Sequence, residues 1–230
     1  MEYTVVHAAI PPSLDGQIHE GPWTTAPAVS VASFHPRNST HSHKPWVIAK
    51  VLYNETGLHV MFNVRDRYVR AIRTGFQDPV CRDACVEFFV QPGEGPGYLN
   101  FEISLAGGRL VYWITDCRRI KDKSAKSEFV ASEKVKDLHL ETLTVKTSKP
   151  GPTDPEIEGP LDWWAGFTAP WSFFAAYVPD WKVPGPGTRW RANFYKCADE
   201  SSHPHWASWA PVGQELNFHQ PAMFGDLVFG

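Results

Sequence analysis

Twenty prolines and 17 glycines are spread through a chain of 230 residues, and this punctuation limits the fold more than any other feature. Proline breaks a helix interior and glycine weakens it, so little of the chain is free to be helical. Between the breakers lie short runs with strand character: Trp46–Asn54, Gly57–Asp66, Cys85–Pro92, Tyr98–Leu105, Arg109–Asp116, His139–Lys146 and Thr188–Cys197. The closing run Phe224–Phe229 reads as an edge or final strand. Asn54-Glu55-Thr56-Gly57 and Ala106-Gly107-Gly108 carry the glycines that hairpin turns use. The expectation is an all-β protein, a two-sheet antiparallel β-sandwich with long loops. Sandwiches of this length commonly form one unit, so residues 1–230 are read as a single domain.

The segment Lys149–Pro160 holds four prolines and is expected to be a surface loop without ladder pairing. Phe34–Lys44, with His35, His41 and His43, reads as a second, polar loop. Lys121–Lys136 reads as an irregular charged connection, although Ala125 and Phe129 stand at helical spacing. A net charge of −3 argues against nucleic acid, and the basic run Arg118–Lys123 is interrupted by Asp122, as in a solvated loop. No apolar run approaches the ~20 residues that span a bilayer. The opening residues lack a charged and then apolar leader. Cys81, Cys85, Cys117 and Cys197 are too few and scattered for a disulfide framework; free thiols, a disulfide or two, and metal all stay open.

Strand alternation sorts the side chains onto two faces. Val86, Phe88 and Val90, then Leu99, Phe101, Ile103 and Leu105, then Trp190, Ala192 and Phe194 make a core set. The opposite face would carry Glu87, Asn100, Glu102, Arg191 and Asn193 beside Phe89, Tyr98 and Tyr195. Carboxylates, amides and guanidinium groups bind vicinal hydroxyls, and aromatic rings stack on the C–H face of a sugar. A plain polar sheet face would have a similar composition. Ten tryptophans exceed what a core needs, and Trp206 and Trp209 fall in a Pro- and Ser-containing stretch with His203 and His205, where rings tend to be presented rather than buried.

Several blocks of the chain resemble the family 9 carbohydrate-binding modules of the wider DOMON-type, jelly-roll sandwich group. They are Leu14-Asp15-Gly16 with Trp23, Leu52–Asp66, Cys81–Phe89, Tyr98–Glu102, Ala169-Pro170-Trp171, Asn193–Cys197 and Phe218-His219-Gln220-Pro221. The resemblance implies a sandwich that holds a mono-, oligo- or polysaccharide between two Trp rings, with polar groups on the hydroxyls. It implies that Trp209 is one half of that clamp, that Glu87 is the carboxylate of the Val-Glu strand, and that Asn100 is a further polar ligand. The other ring is missing: Cys81 stands where the family often has Trp, with Trp206, Trp181 or Phe76 as substitutes. The candidate ligand set is Glu87, Asn100, Glu102, Arg191, Asn193, Tyr195, His205, Trp206 and Trp209. Related modules bind structural calcium, which makes Asp15, Asp66 and Asp83 candidate ligands, although no spacing resembles a calcium loop. The resemblance also implies an extracellular or periplasmic monomer.

The main alternative is a carbohydrate-active enzyme, a glycoside hydrolase or polysaccharide lyase, with Glu87 and Glu102 or His203 and His205 in acid/base roles. Against it, the chain lacks a nucleophile elbow, a His-Glu-x-x-His pair and a phosphate loop. A haem module on Met61 or Met223 and a protein-interaction domain on the aromatic patch are remoter readings.

Overall fold

The computed structural model describes residues 1–121 and 128–230. Ala125 and the end of the basic run, Asp122 and Lys123, lie outside the described residues. The first strands are β1 (Glu2–His7), β2 (Val29–Ser30), β3 (Ser33–Phe34), β4 (Trp46–Tyr53), β5 (Gly57–Asp66) and β6 (Val69–Ala71). β7 (Cys85–Gln91), β8 (Tyr98–Ser104), β9 (Arg109–Arg119), β10 (Phe129–Lys134) and β11 (Thr144–Thr147) follow. β12 (Thr153–Ile157), β13 (Leu161–Pro170), β14 (Arg189–Cys197), β15 (Trp206–Ser208) and β16 (Gly225–Phe229) complete them. Among the described residues helix is confined to single turns and short pieces such as α1 (Asp137–Leu140) and α2 (Trp171–Ala175). Among the described residues no helix is long and apolar enough to cross a membrane.

The chain is all-β, as its punctuation predicts. Among the described residues fourteen strands share one hydrogen-bonded sheet whose path runs β10-β9-β8-β7-β14-β16-β1-β4-β5-β13-β11, while β12 and β6 form a separate pair. The path curls on itself: Phe101 of β8 stacks on Phe167 of β13 at 4.8 Å, and Phe62 of β5 meets Phe194 of β14 at 6.1 Å. The alternating apolar sets of β7, β8 and β14 lie in this core.

Several boundaries differ from the sequence reading. β1 pairs in parallel with β16 through Glu2–Val5 and with β4 through Val6–His7, so the ladder is not wholly antiparallel. β16 is the final strand, one of the two readings of Phe224–Phe229, but it is interior rather than an edge, with β14 on its other side. His139–Lys146 divides into the end of α1 and the start of β11. The Lys149–Pro160 loop does pair, as β12, but only through Thr153 and Ile157; Pro155 sits in the unpaired middle, where its missing N–H costs nothing. β13, ten residues in register along β5, was not anticipated.

Candidate functional site

The face of β7, β8, β9 and β14 away from the core is arranged in rows by strand register. Cys197 lies opposite Cys85, and Cys85 opposite Ser104. In the next row Tyr195, Glu87, Glu102 and Leu110 follow across four strands, and in the next Asn193, Phe89, Asn100 and Tyr112. This face was expected to meet solvent. Instead the segment after β15 folds over part of it, and Val212 and Phe224 pack with Phe89, Tyr98 and Tyr195 in a second apolar cluster.

Where that cover stops, a cleft of about 570 Å³ remains. Its floor includes Glu87, Glu102 and Cys197; Trp206, Tyr112 and Phe218 supply aromatic walls, and Arg37, Arg82 and Arg119 supply positive charge. Glu87 and Glu102 are 2% and 5% exposed. As directly paired neighbours, their Cβ atoms are ~4.5–5.5 Å apart. Glu87 Oε1 accepts a hydrogen bond from the Cys197 thiol at 3.0 Å, and Glu102 Oε1 accepts one from Asn100 Nδ2 at 2.7 Å. Among the described residues neither carboxyl has a basic group at ion-pair distance. Burial pushes the Glu87 carboxyl well above its ordinary value, and Glu102 is raised by burial and then by Glu87. A carboxyl kept neutral in this way can donate as well as accept.

The sequence candidates divide clearly. Glu87, Glu102 and Trp206 line the cleft. The Trp206 ring is held by an Nε1–H bond of 2.7 Å to Asp199 Oδ1. Asn100 and Asn193 are fully buried and committed to the fold: Asn100 Oδ1 accepts from the Tyr112 amide, and Asn193 bonds both backbone polar groups of Ala210. Tyr195 supports the wall from behind, stacked on Phe218 at 4.1 Å and donating to its carbonyl. Arg191 donates to the carbonyls of Ala222 and Phe224 and stands outside the cleft. Trp209, expected on the surface, is a buried residue packed edge-on against Phe194. Phe76, whose ring meets the Arg109 guanidinium, and Trp181 both lie outside the lining of this cleft, so neither replaces the ring missing at Cys81, which itself lines it.

His205 sits in a different, buried polar cluster. Its Nε2 is 2.7 Å from Lys196 Nζ, which also lies 3.3 Å from Asp66 Oδ2, while His43 holds the other Asp66 oxygen at 2.9 Å. Burial would raise Asp66, but Lys196, the His43 bond, His205 and the Arg67 amide outweigh it and hold the carboxyl far below its ordinary range. His203 stacks on Tyr68 beside this cluster. The aspartates named for calcium already have partners: Asp66 has Lys196, Asp83 has Arg73 at 2.7 Å, and Asp15 caps the Gln17 amide. Calcium needs six to eight oxygens, and these engaged side chains do not fit it.

Sequence reasoning missed the other large cleft, of about 720 Å³, lined by Trp113, Trp181 and Trp190 with Asp180 and Lys182. Gly97 makes room for Trp113: a Cβ there would lie 2.1 Å from the indole. Part of the signal was present, since Trp113 belongs to the recognised strand Arg109–Asp116, but its meeting with Gly97 across β8 and β9 needs the register.

Residues 36–229 match the family model described as carbohydrate-binding family 9. No curated protein matches the chain. Among solved structures, a proposed carbohydrate-binding protein from Bacteroides uniformis ATCC 8492 is 25% identical, with 100% of this chain and 99% of that one covered and a TM-score of 0.81. A family 9 module from Caldicellulosiruptor kristjanssonii in complex with glucose is 12% identical over 99% of this chain and 95% of that chain, with a TM-score of 0.60. The same module in complex with cellotriose gives 13% identity, 100% and 93% coverage and a TM-score of 0.60.

Proposed function

The chain belongs to carbohydrate-binding family 9, and on that premise we propose that the Glu87/Glu102 cleft binds a saccharide without transforming it. The observation that carries this reading is the pair of buried carboxyls in adjacent register, at the floor of a cleft walled by Trp206, Tyr112 and Phe218. Carboxyl oxygens in the lining can accept from vicinal hydroxyls, and the rings can stack on pyranose C–H groups. Arginines on the rim add donors for ring and glycosidic oxygens. The aromatic clamp in this reading is formed by Trp206 and Phe218. The two family 9 complexes cited above hold glucose and cellotriose, which makes glucose and short β-glucans the first ligands to try. Family 9 modules are generally extracellular, and the same location is proposed for this chain, as a monomer in solution.

The Trp113/Trp181 cleft is a second locus, favoured by its three indoles. Calorimetric titration of a glycan-array hit into Glu87→Gln, Trp206→Ala and Trp181→Ala separates the two. Glu87→Gln and Trp206→Ala are each expected to weaken binding about 10–100-fold, the equivalent of ~1.5–3 kcal/mol for a bond to a charged or strongly polar group, while Trp181→Ala leaves it unchanged. The reverse pattern moves the ligand to the tryptophan cleft. The carboxyl pair also keeps hydrolysis in view. Release of shorter sugars by the unaltered protein, abolished in Glu102→Gln, would make it an enzyme.

A further inference from the structure

Cys85 and Cys197 face each other across the β7–β14 ladder, and Glu87 lies two residues along β7 on the same face. One ligand atom from each of the three lies within 4.8 Å of the other two, and all three residues are buried. Glu87 and Cys197 line the cleft together with a third thiol, Cys81, while Cys85 is fully buried beside them. We propose that Cys85, Glu87 and Cys197 form a binding site for a soft divalent cation of the zinc class, with its fourth position open to the cleft.

Two thiolates and one carboxylate are a donor set for zinc rather than for calcium or magnesium, which take oxygen ligands. The spacing is close to what coordination needs. Ligands on tetrahedral zinc at ~2.3 Å stand about 3.8 Å apart, so the side chains must close by an ångström at most. They are mounted on adjacent strands, which hold such geometry better than loops do. The electrostatic setting also favours a cation, because Glu87 and Glu102 are buried next to each other and, among the described residues, have no basic partner at ion-pair distance. Buried charge of this kind is neutralised by a proton or by coordination. The His43–Asp66–His205 cluster shows the contrast: its three ligand atoms are as close, but the Lys196 ammonium already lies among them, 2.7 Å from His205 and 3.3 Å from Asp66.

On binding, the thiol protons of Cys85 and Cys197 leave to the buffer, together with any proton on Glu87, and two sulfur–metal bonds and one oxygen–metal bond form. A water takes the remaining position. No saccharide is required, so failure of sugar binding leaves the site untouched.

The test is titration of the full chain, kept reduced with a phosphine, with cadmium chloride and then zinc chloride, following the thiolate-to-cadmium charge-transfer absorption and the heat. One ion per chain with a saturable band is expected. Cys85→Ser and Cys197→Ser should each weaken it at least ~100-fold, above the ~10–100-fold of an outer-shell change. Cys117→Ser, which lies outside the cleft, should leave it unchanged. No saturable band, or a band that survives in the Cys85→Ser/Cys197→Ser double variant, overturns the proposal. If the cysteine variants do not fold, Glu87→Gln keeps both thiols and the side-chain shape. An unchanged cadmium affinity in that variant counts equally against the site.

Discussion

Replacing Trp209 with alanine separates a core role from a ligand role. Trp209 is 9% exposed, meets Phe194 edge-on at 5.6 Å, and its ring lies 2.5 Å from where Gly225 would carry a Cβ. Nearly all of the roughly 150–250 Å² of an indole side chain is therefore out of water. At ~25 cal/mol per Å² that burial is worth about 4–6 kcal/mol, an upper bound because the unfolded chain already hides some area. Large-to-small changes of this kind cost ~3–5 kcal/mol when a cavity is left. In a domain of this size each kcal/mol lowers Tm by ~2–4 °C, so a fall of roughly 6–20 °C is expected. Differential scanning calorimetry reads it directly. Saccharide titration well below the transition should give an affinity within about threefold of the unaltered chain, under 0.7 kcal/mol or so. A Tm within ~2 °C of the parent, combined with an affinity loss of about tenfold or more, would refute this reasoning and return Trp209 to the ligand site.

Lys196→Met should cost ~3–5 kcal/mol in chemical denaturation, because it takes the ammonium from a buried Asp66 carboxylate; adding Asp66→Asn should recover part of the loss, and a cost below ~1 kcal/mol contradicts the pairing. Stability should also depend on pH in a defined way. His59 is held at about 4 and His205 at about 3, both mainly by burial, against an ordinary 6.5. Their contribution is present above pH 6.5 and lost as pH falls through the folded values. Glu87, raised to about 8 from 4.5 by burial, contributes fully below pH 4.5 and loses that contribution as pH rises to about 8, and Glu102 moves in the same direction. The two trends oppose each other between pH 4.5 and 6.5, so denaturation midpoints should change little there, drop below it, and decline from pH 6.5 to about 8. Glu87→Gln should flatten the upper decline, and midpoints already flat in the parent above pH 6.5 would argue against buried neutral carboxyls.

Much of the fold was legible because a period of two carries so much information. The runs around Val86, Phe101 and Phe194 placed their apolar side chains correctly in the core. β13 escaped although Trp163, Ala165, Phe167 and Ala169 alternate, because Gly166 interrupts the run and Pro160 and Pro170 bound it. The site was harder to read. Alternation identifies which side chains share a face, but it does not show whether solvent or another segment meets that face. Asn100, Asn193 and Tyr195 were on the expected side, yet their hydrogen bonds are spent on Tyr112, Ala210 and Phe218. What covers them is the tail around Val212–Phe224, which has no periodicity of its own and is positioned by contacts distant in sequence.

The parallel pairing of β1 with both β16 and β4 has a consequence for the order of assembly. β4 and β5 are joined by a tight hairpin and can pair early, whereas β16, at residues 225–229, is synthesised after the other strands of this sheet. Until then, β14 and β1 present open ladder edges, which invite intermolecular pairing. Contacts between strands more than two hundred residues apart, such as β1 and β16, give slow, late closure. A ribosome stalled before Gly225 would therefore hold a sheet in two unjoined arms, and chaperone engagement should concentrate in that interval.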